Sequence, residues 1–182
     1  MTFETLAKQG NSSHNDTLVA TILPRIREIR KEYIKDSLSG MNRIEHRLEH
    51  VLTVQGIDFI NDSRSTSVNS TWYALSNYHR PIVWIAGGVE SGNNYEELIP
   101  IVGEKVKAIV CLGSRNGKIL DAFSRLFIPI RETNSMDLAV QTAYSLSKPG
   151  DIVLLSPSCA SFDLFENLEE RGRAFRLAVK NL

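Results

Sequence analysis

The run Ile82-Val83-Trp84-Ile85-Ala86, followed at once by Gly87-Gly88, decides the fold. Five apolar residues in succession leave no side for water, so a strand built from them must be covered on both faces. Working outward, similar strand candidates fall at 108–112, 127–130 and 152–155, and helical periodicity fills 67–77, 95–103, 119–125, 136–147 and 162–181. Apolar strands alternating with amphipathic helices predict a mostly parallel sheet with helices on both faces, a Rossmann-like α/β layering. Ahead of it, two short β-rich runs at 51–54 and 57–60 flank Gln55-Gly56, the mark of a β-hairpin opening the domain. Upstream, apolar residues recur every three or four positions across 15–39, which predicts helix, and Pro24 inside that run predicts a kink or two shorter helices. Two parts follow: a short helical segment over 1–43 and the α/β domain over 44–182.

A chain of 182 residues can bury one good-sized core. Its 21 basic and 21 acidic side chains cancel, which removes the electrostatic footprint expected for nucleic acid or an anionic membrane surface. The apolar runs are far shorter than the roughly 20 residues that span a bilayer, and no basic-then-apolar leader is visible, so a cytoplasmic protein is expected. Cys111 and Cys159 lack the close spacing of a zinc or redox pair and read as reduced thiols. His14, His46, His50 and His79 show no metal-ligand spacing, so no metal is expected to be held by this chain alone.

Open sheets of this class bind ligands at the carboxyl ends of their strands. That rule selects three loops: Asn61-Asp62-Ser63-Arg64-Ser65-Thr66, Gly87-Gly88-Val89-Glu90-Ser91-Gly92 and Ser156-Pro157-Ser158-Cys159-Ala160-Ser161. Thr66 and Ser161 have two readings, as helix caps or as hydroxyls that hold a carboxylate or phosphate beside free helix amides. Arg47, Asp62 and Arg64 likewise read either as contacts to a charged ligand or as surface ion pairs of small worth. Gly87-Gly88 lets backbone or ligand approach closely, but it lacks the third glycine of a dinucleotide fingerprint and the lysine of a phosphate loop.

The stretches His46-Arg47-Leu48-Glu49, Asn61 to Thr66, Ala86-Gly87-Gly88, Leu155 to Asp163 and Glu169-Glu170-Arg171-Gly172 together resemble the Mur ligase family, in its D-glutamate-adding branch. The resemblance covers about 44–182, the family's C-terminal domain. It implies an ATP-dependent, amide-forming ligase of peptidoglycan precursor synthesis. ATP would phosphorylate the carboxylate of UDP-N-acetylmuramoyl-L-alanine, and the amine of D-glutamate would then displace phosphate from the acyl phosphate. By motif position, Thr66, Ser161, Phe162 and Arg64 would contact D-glutamate, while Arg47 and Asp62 would reach the nucleotide. A looser match over 14–40 implies that residues 1–43 are a helical remnant or linker of the central ATP-binding domain, with Asn15 at adenine.

Several positions depart from the family pattern. Arg64 stands where lysine is usual, Glu90-Ser91-Gly92 where Asp-Lys-Gly is usual, Leu168 where phenylalanine is usual, and Ser67 where asparagine is usual. Nothing in 1–43 resembles the family's Gly-Lys-Thr phosphate loop, so ATP and Mg would belong to the full enzyme and this chain alone is expected to be inactive. The alternative is a non-catalytic binding or regulatory module derived from the same domain.

Overall fold

A computed structural model describes residues 24–25, 28–34, 44–89 and 92–182. The chain divides into two compact units, 1–39 and 40–182. In the first, residues 24–25 and 28–34 are helical; residues 26 and 27, where a kink after Pro24 would fall, lie outside the described residues, as does Asn15.

The second unit opens with the expected hairpin, β1 (Glu49–Val54) and β2 (Ile57–Asn61), paired antiparallel. Gln55 and Gly56 both have positive φ, 48° and 79°, the condition for a two-residue turn whose twist matches its strands. Then come α1 (Val68–Ser76), β3 (Ile82–Ala86), a 3-10 turn (Tyr95–Leu98) running into α2 (Ile99–Lys105), and β4 (Val106–Leu112). The chain continues with α3 (Gly117–Phe123), β5 (Ile130–Thr133), α4 (Met136–Ser145), β6 (Ile152–Leu155) and α5 (Leu168–Lys180). The six strands lie in the order β1-β2-β6-β3-β4-β5, and every neighbouring pair after the hairpin is parallel. The predicted α/β layering is therefore the observed one.

Handedness explains which helix covers which face. From β2 the chain steps past the β6 position to β3, β4 and β5 in one direction, and right-handed crossovers put α1, α2 and α3 on one side. The return from β5 to β6 reverses direction and puts α4 on the other side. Strand alternation matches this: Ile82, Trp84 and Ala86 pack with Leu75, Leu98, Val102 and Phe123. Val83 and Ile85 pack with Ala139, Val140, Phe175 and Val179. Each Val, Leu or Ile fully buried in these layers contributes about 1.5–3 kcal/mol of transfer free energy before entropy is counted. Trp84 packs edge-on to Phe123 at 5.5 Å and spends its indole N–H on the Ser156 carbonyl at 2.7 Å, so its one polar atom is satisfied inside the core.

Two elements differ from expectation by more than two residues. The strand expected at 127–130 is Ile130–Thr133 instead, because Phe127 is left-handed (φ 54°) and 97% exposed and Pro129 has no N–H to give the ladder. The helix expected from 162 begins at Leu168, because Asn167 caps it by accepting from the Glu170 amide at 2.8 Å. Residues 161–165 form a separate turn closed by the Phe165 amide on the Ser161 carbonyl at 3.0 Å.

Candidate functional site

β6 lies between β2 and β3, whose chains leave toward the α1–α3 face, while its own chain leaves toward α5 on the opposite face. Diverging loops at such a point leave a crevice at the carboxyl ends of the strands. The three loops selected from sequence meet there. The Ser158 amide donates to the Ser65 carbonyl and the Gly87 amide to the Pro157 carbonyl, both at 2.9 Å, and Val89 and Ala160 exchange amide bonds at 2.9 and 3.2 Å. Gly88 has φ 133° and lies so close to Ala160 that any side chain would strike its carbonyl, so glycine is required for this approach. Beneath the loops, Thr71 of α1 receives the Ser158 hydroxyl at 2.7 Å and the Ser156 hydroxyl at 3.1 Å.

Arg47 and Asp62 are brought together. Asp62 is fully buried; its carboxylate accepts from the Leu48 amide at 3.2 Å, the Ser156 hydroxyl at 3.2 Å and the Ser65 hydroxyl. Arg47 Nη1 lies 3.7 Å from Asp62 Oδ1 and donates to Ser65 Oγ at 3.2 Å, with the guanidinium 5.7 Å over the Tyr73 ring. Burial pushes the Asp62 carboxyl up to about 6, against the opposing pull of Arg47 and of its hydrogen bonds. The buried Nε and Nη2 of Arg47 have no hydrogen-bond partner. A buried guanidinium with two unspent donors suits an anionic ligand atom, such as a nucleotide oxygen. The backbone on either side of Arg47 is left-handed, at His46 (φ 61°) and Leu48 (φ 44°), a conformation that non-glycine residues hold only when the surroundings impose it.

Thr66 and Ser161 are not helix caps: α1 is capped by Ser67, which accepts from the Ser70 amide at 3.3 Å, and α5 by Asn167. Among the described residues, the Thr66 and Ser161 hydroxyls make no hydrogen bond, although Ser161 is buried and Thr66 half-buried. Phe162, which follows Ser161 in sequence, is 73% exposed. Arg64 turns away along α5, donating to the Glu45 carbonyl at 2.9 Å and pairing with Glu169 at 3.2 Å, both half-exposed. Asn15 and Ser91 lie outside the described residues.

Sequence reasoning assigned no role to Arg171, yet it ties two of the loops together. It is 1% exposed, and it donates to Ser63 Oγ at 3.0 Å, the Ser63 carbonyl at 2.8 Å and the Cys159 carbonyl at 3.0 Å. Burial lowers its ionisation to about 10, leaving it cationic at neutral pH. The available signal was its place in the Glu-Glu-Arg-Gly run. The glycine of that run fits the same logic: a Cβ on Gly172 would overlap the buried His46 ring, and Asn61 bridges His46 Nδ1 at 2.9 Å to the Gly172 carbonyl at 3.1 Å. Cys159 is buried against the Tyr95 hydroxyl at 3.0 Å, a packed thiol. Among the described residues no group of three or more His, Cys, Asp or Glu side chains is placed to hold a metal ion. No described helix is long and apolar enough to cross a membrane.

Residues 46–159 match the model of the Mur ligase, glutamate ligase domain. The UDP-N-acetylmuramoylalanine--D-glutamate ligase of Christiangramia forsetii is 51% identical over 177 residues, 97% of this chain and 40% of that protein. The ligase of the same name from Bacteroides fragilis is 47% identical over 180 residues, 98% of this chain and again 40% of its own. The chain thus spans about 40% of the length of these curated relatives. Among solved structures, the murein peptide ligase of Psychrobacter arcticus superposes with a TM-score of 0.53 at 13% identity, over 76% of this chain and 31% of that one, a likeness of fold. Because that family model matches more than half of its residues, the chain belongs to the Mur ligase family, and its matched residues form the glutamate ligase domain of that family.

Proposed function

We propose that this chain is the C-terminal part of an ATP-dependent ligase that adds D-glutamate to UDP-N-acetylmuramoyl-L-alanine in cytoplasmic peptidoglycan precursor synthesis. The observation that carries the reading is the pair of unspent hydroxyls, Thr66 and Ser161, at adjacent strand ends of the crevice. In this reading they hold the carboxylates of D-glutamate, with exposed Phe162 shielding them, and Arg64 swings from Glu169 to add its charge. Arg47 offers its two free donors to the nucleotide, and Asp62 acts there by holding Arg47 in place. Residues 1–43 are read as the link to a central domain that supplies the phosphate loop, ATP and Mg. Asn15 is carried within them as an adenine contact. Closure of the two domains would exclude water from the acyl phosphate until the amine of D-glutamate displaces phosphate. The chain alone is then a binding domain without turnover. Nothing in the described residues favours the second reading, a non-catalytic module.

A titration of the purified chain with D-glutamate and with L-glutamate, followed by amide NMR, tests this. Saturable shifts at Thr66, Ser161 and Phe162 with the D enantiomer alone are expected. Equal response to both enantiomers, or shifts confined to other surfaces, would remove the D-glutamate assignment.

A further inference from the structure

The turn that carries Arg47 straddles the end of β2. Consecutive side chains of an extended chain point to opposite faces, and Asn61 and Asp62 each receive one residue of the turn: Asn61 meets His46, and Asp62 meets Arg47. His46 is thereby buried on the α5 side, against Gly172, while Arg47 lies on the α1 side, over Tyr73. Backbone bonds tie the turn down as well, from the His46 amide to Glu49 Oε2 at 3.0 Å and from the Arg64 amide to the His46 carbonyl at 3.2 Å. Positive φ at His46 and Leu48 still has to be imposed from outside, and the His46 ring is the buried side chain that does so from the face opposite Arg47.

The side-chain amide of Asn61 can face only one way. Its Oδ1 accepts the Ser63 amide at 3.2 Å, and its Nδ2 donates to the Gly172 carbonyl at 3.1 Å. The other Nδ2 hydrogen is directed at His46 Nδ1, 2.9 Å away, so that ring nitrogen carries a lone pair and no proton. The ring proton then sits on Nε2, buried without an acceptor, with a Glu45 carboxylate oxygen 3.8 Å off. A second proton, on Nδ1, would set donor against donor. Burial pulls the ring below the ordinary histidine value; Arg176 and Arg64 act in the same direction, and Glu45 and Glu49 oppose them. The fit is close on the helix side, where a Cβ on Gly172 would lie 2.4 Å from Nδ1.

We propose that His46, in its Nε2–H form, is a positioning residue: through Asn61 it anchors the turn to α5 and so presents the Arg47 guanidinium to the anionic ligand of the crevice. His46 acts through Arg47 and meets no ligand itself. The ligand part of this inference rests on the reading above, in which Arg47 offers its two free donors to the nucleotide. The role belongs to the binding step and involves no covalent change.

The test reads both residues by NMR on the purified chain. Proton–nitrogen correlations of the imidazole should show His46 as the Nε2–H tautomer, a signature that packing alone does not require. The Arg47 Nε–H, buried without a partner on a guanidinium over Tyr73, should be shifted by the ring and protected from exchange. H46N places an amide oxygen where Nδ1 stood and tolerates positive φ, so it should keep the Arg47 signal and the affinity for ATP. H46L removes the acceptor; it should speed exchange of the Arg47 Nε–H and weaken ATP binding by about tenfold or more each, as the loss of one charge-assisted hydrogen bond would, while the remaining amide spectrum is retained. H46A replaces H46L if that variant fails to fold, and the tautomer measurement needs no variant. A proton on Nδ1 in wild type, an Arg47 signal unchanged in H46L, or an Arg47 signal lost in folded H46N overturns the inference. Release of Arg47 in H46L, with ATP leaving the wild-type Arg47 signal unmoved, keeps His46 as the anchor of Arg47 and removes the nucleotide contact from the proposed function.

Discussion

At the carboxyl ends of β2, β6 and β3, polar side chains are buried and bonded to one another and to backbone: Asn61, Asp62, Ser63, Ser65, Ser156, Ser158 and Arg171. At the amino ends of the same sheet the polar groups form two ion pairs that each reach the surface, Arg80 with Asp58 and half-exposed Lys107 with buried Asp151 at 2.8 Å, beside a groove of about 250 Å3 lined by His79, Arg80, Lys105 and Lys107. Both ends cap the same strands, so strand formation alone does not call for the buried network. The difference teaches that the carboxyl end accepts the desolvation of charge in order to fix three loops, while the amino end leaves the cation of each ion pair where water screens it.

The sharpest way to break the comparison is at Arg171. R171M removes a cation with three hydrogen bonds and strands the Ser63 and Cys159 carbonyls in the interior, and should cost about 4 kcal/mol in urea unfolding. A loss below about 1 kcal/mol would show the loops to be held by their backbone bonds alone.

Acidity sharpens it next. Burial raises the Asp62 carboxyl from the ordinary 3.8 to about 6, so between those values the folded chain binds a proton that the unfolded chain does not. Stability from this group is therefore greatest near pH 4 and is lost as pH rises through 6, by about 3 kcal/mol for the two-unit shift. Unfolding of wild type and D62N across pH 4 to 7.5 measures it: the difference between the two should slope in this window, and a flat difference would place Asp62 at an ordinary value. The smallest effect is expected at the amino end. R80A breaks a pair whose arginine is 46% exposed, and should change the unfolding free energy by less than about 1 kcal/mol. A larger loss would erase the contrast between the two ends.

Much of the fold was legible because its signals are local. The runs at Ile82–Ala86 and Ile152–Leu155 have only one way to avoid water, and Gln55-Gly56 has the φ freedom that a tight hairpin needs. Where competing local rules met, periodicity misled: Asn167 stopped the last helix short of Phe162, and Pro129 moved β5 three residues along. The loops carrying Arg47, Asp62, Thr66 and Ser161 were also legible, from the strand-end rule and from motif resemblance.

What sequence determined by itself is the layering and the family, since apolar period and motif order are properties of the chain read along its length. Only the tertiary structure decided what each polar residue does. It showed Asp62 turned inward onto Arg47, Thr66 and Ser161 left free of helix caps, and Arg171 joining Ser63 to Cys159. The physical reason is that burial and hydrogen-bond supply are set by neighbours distant in sequence, such as Ser63 and Arg171, 108 positions apart. A charged or hydroxyl side chain acquires its role from whether those neighbours satisfy it.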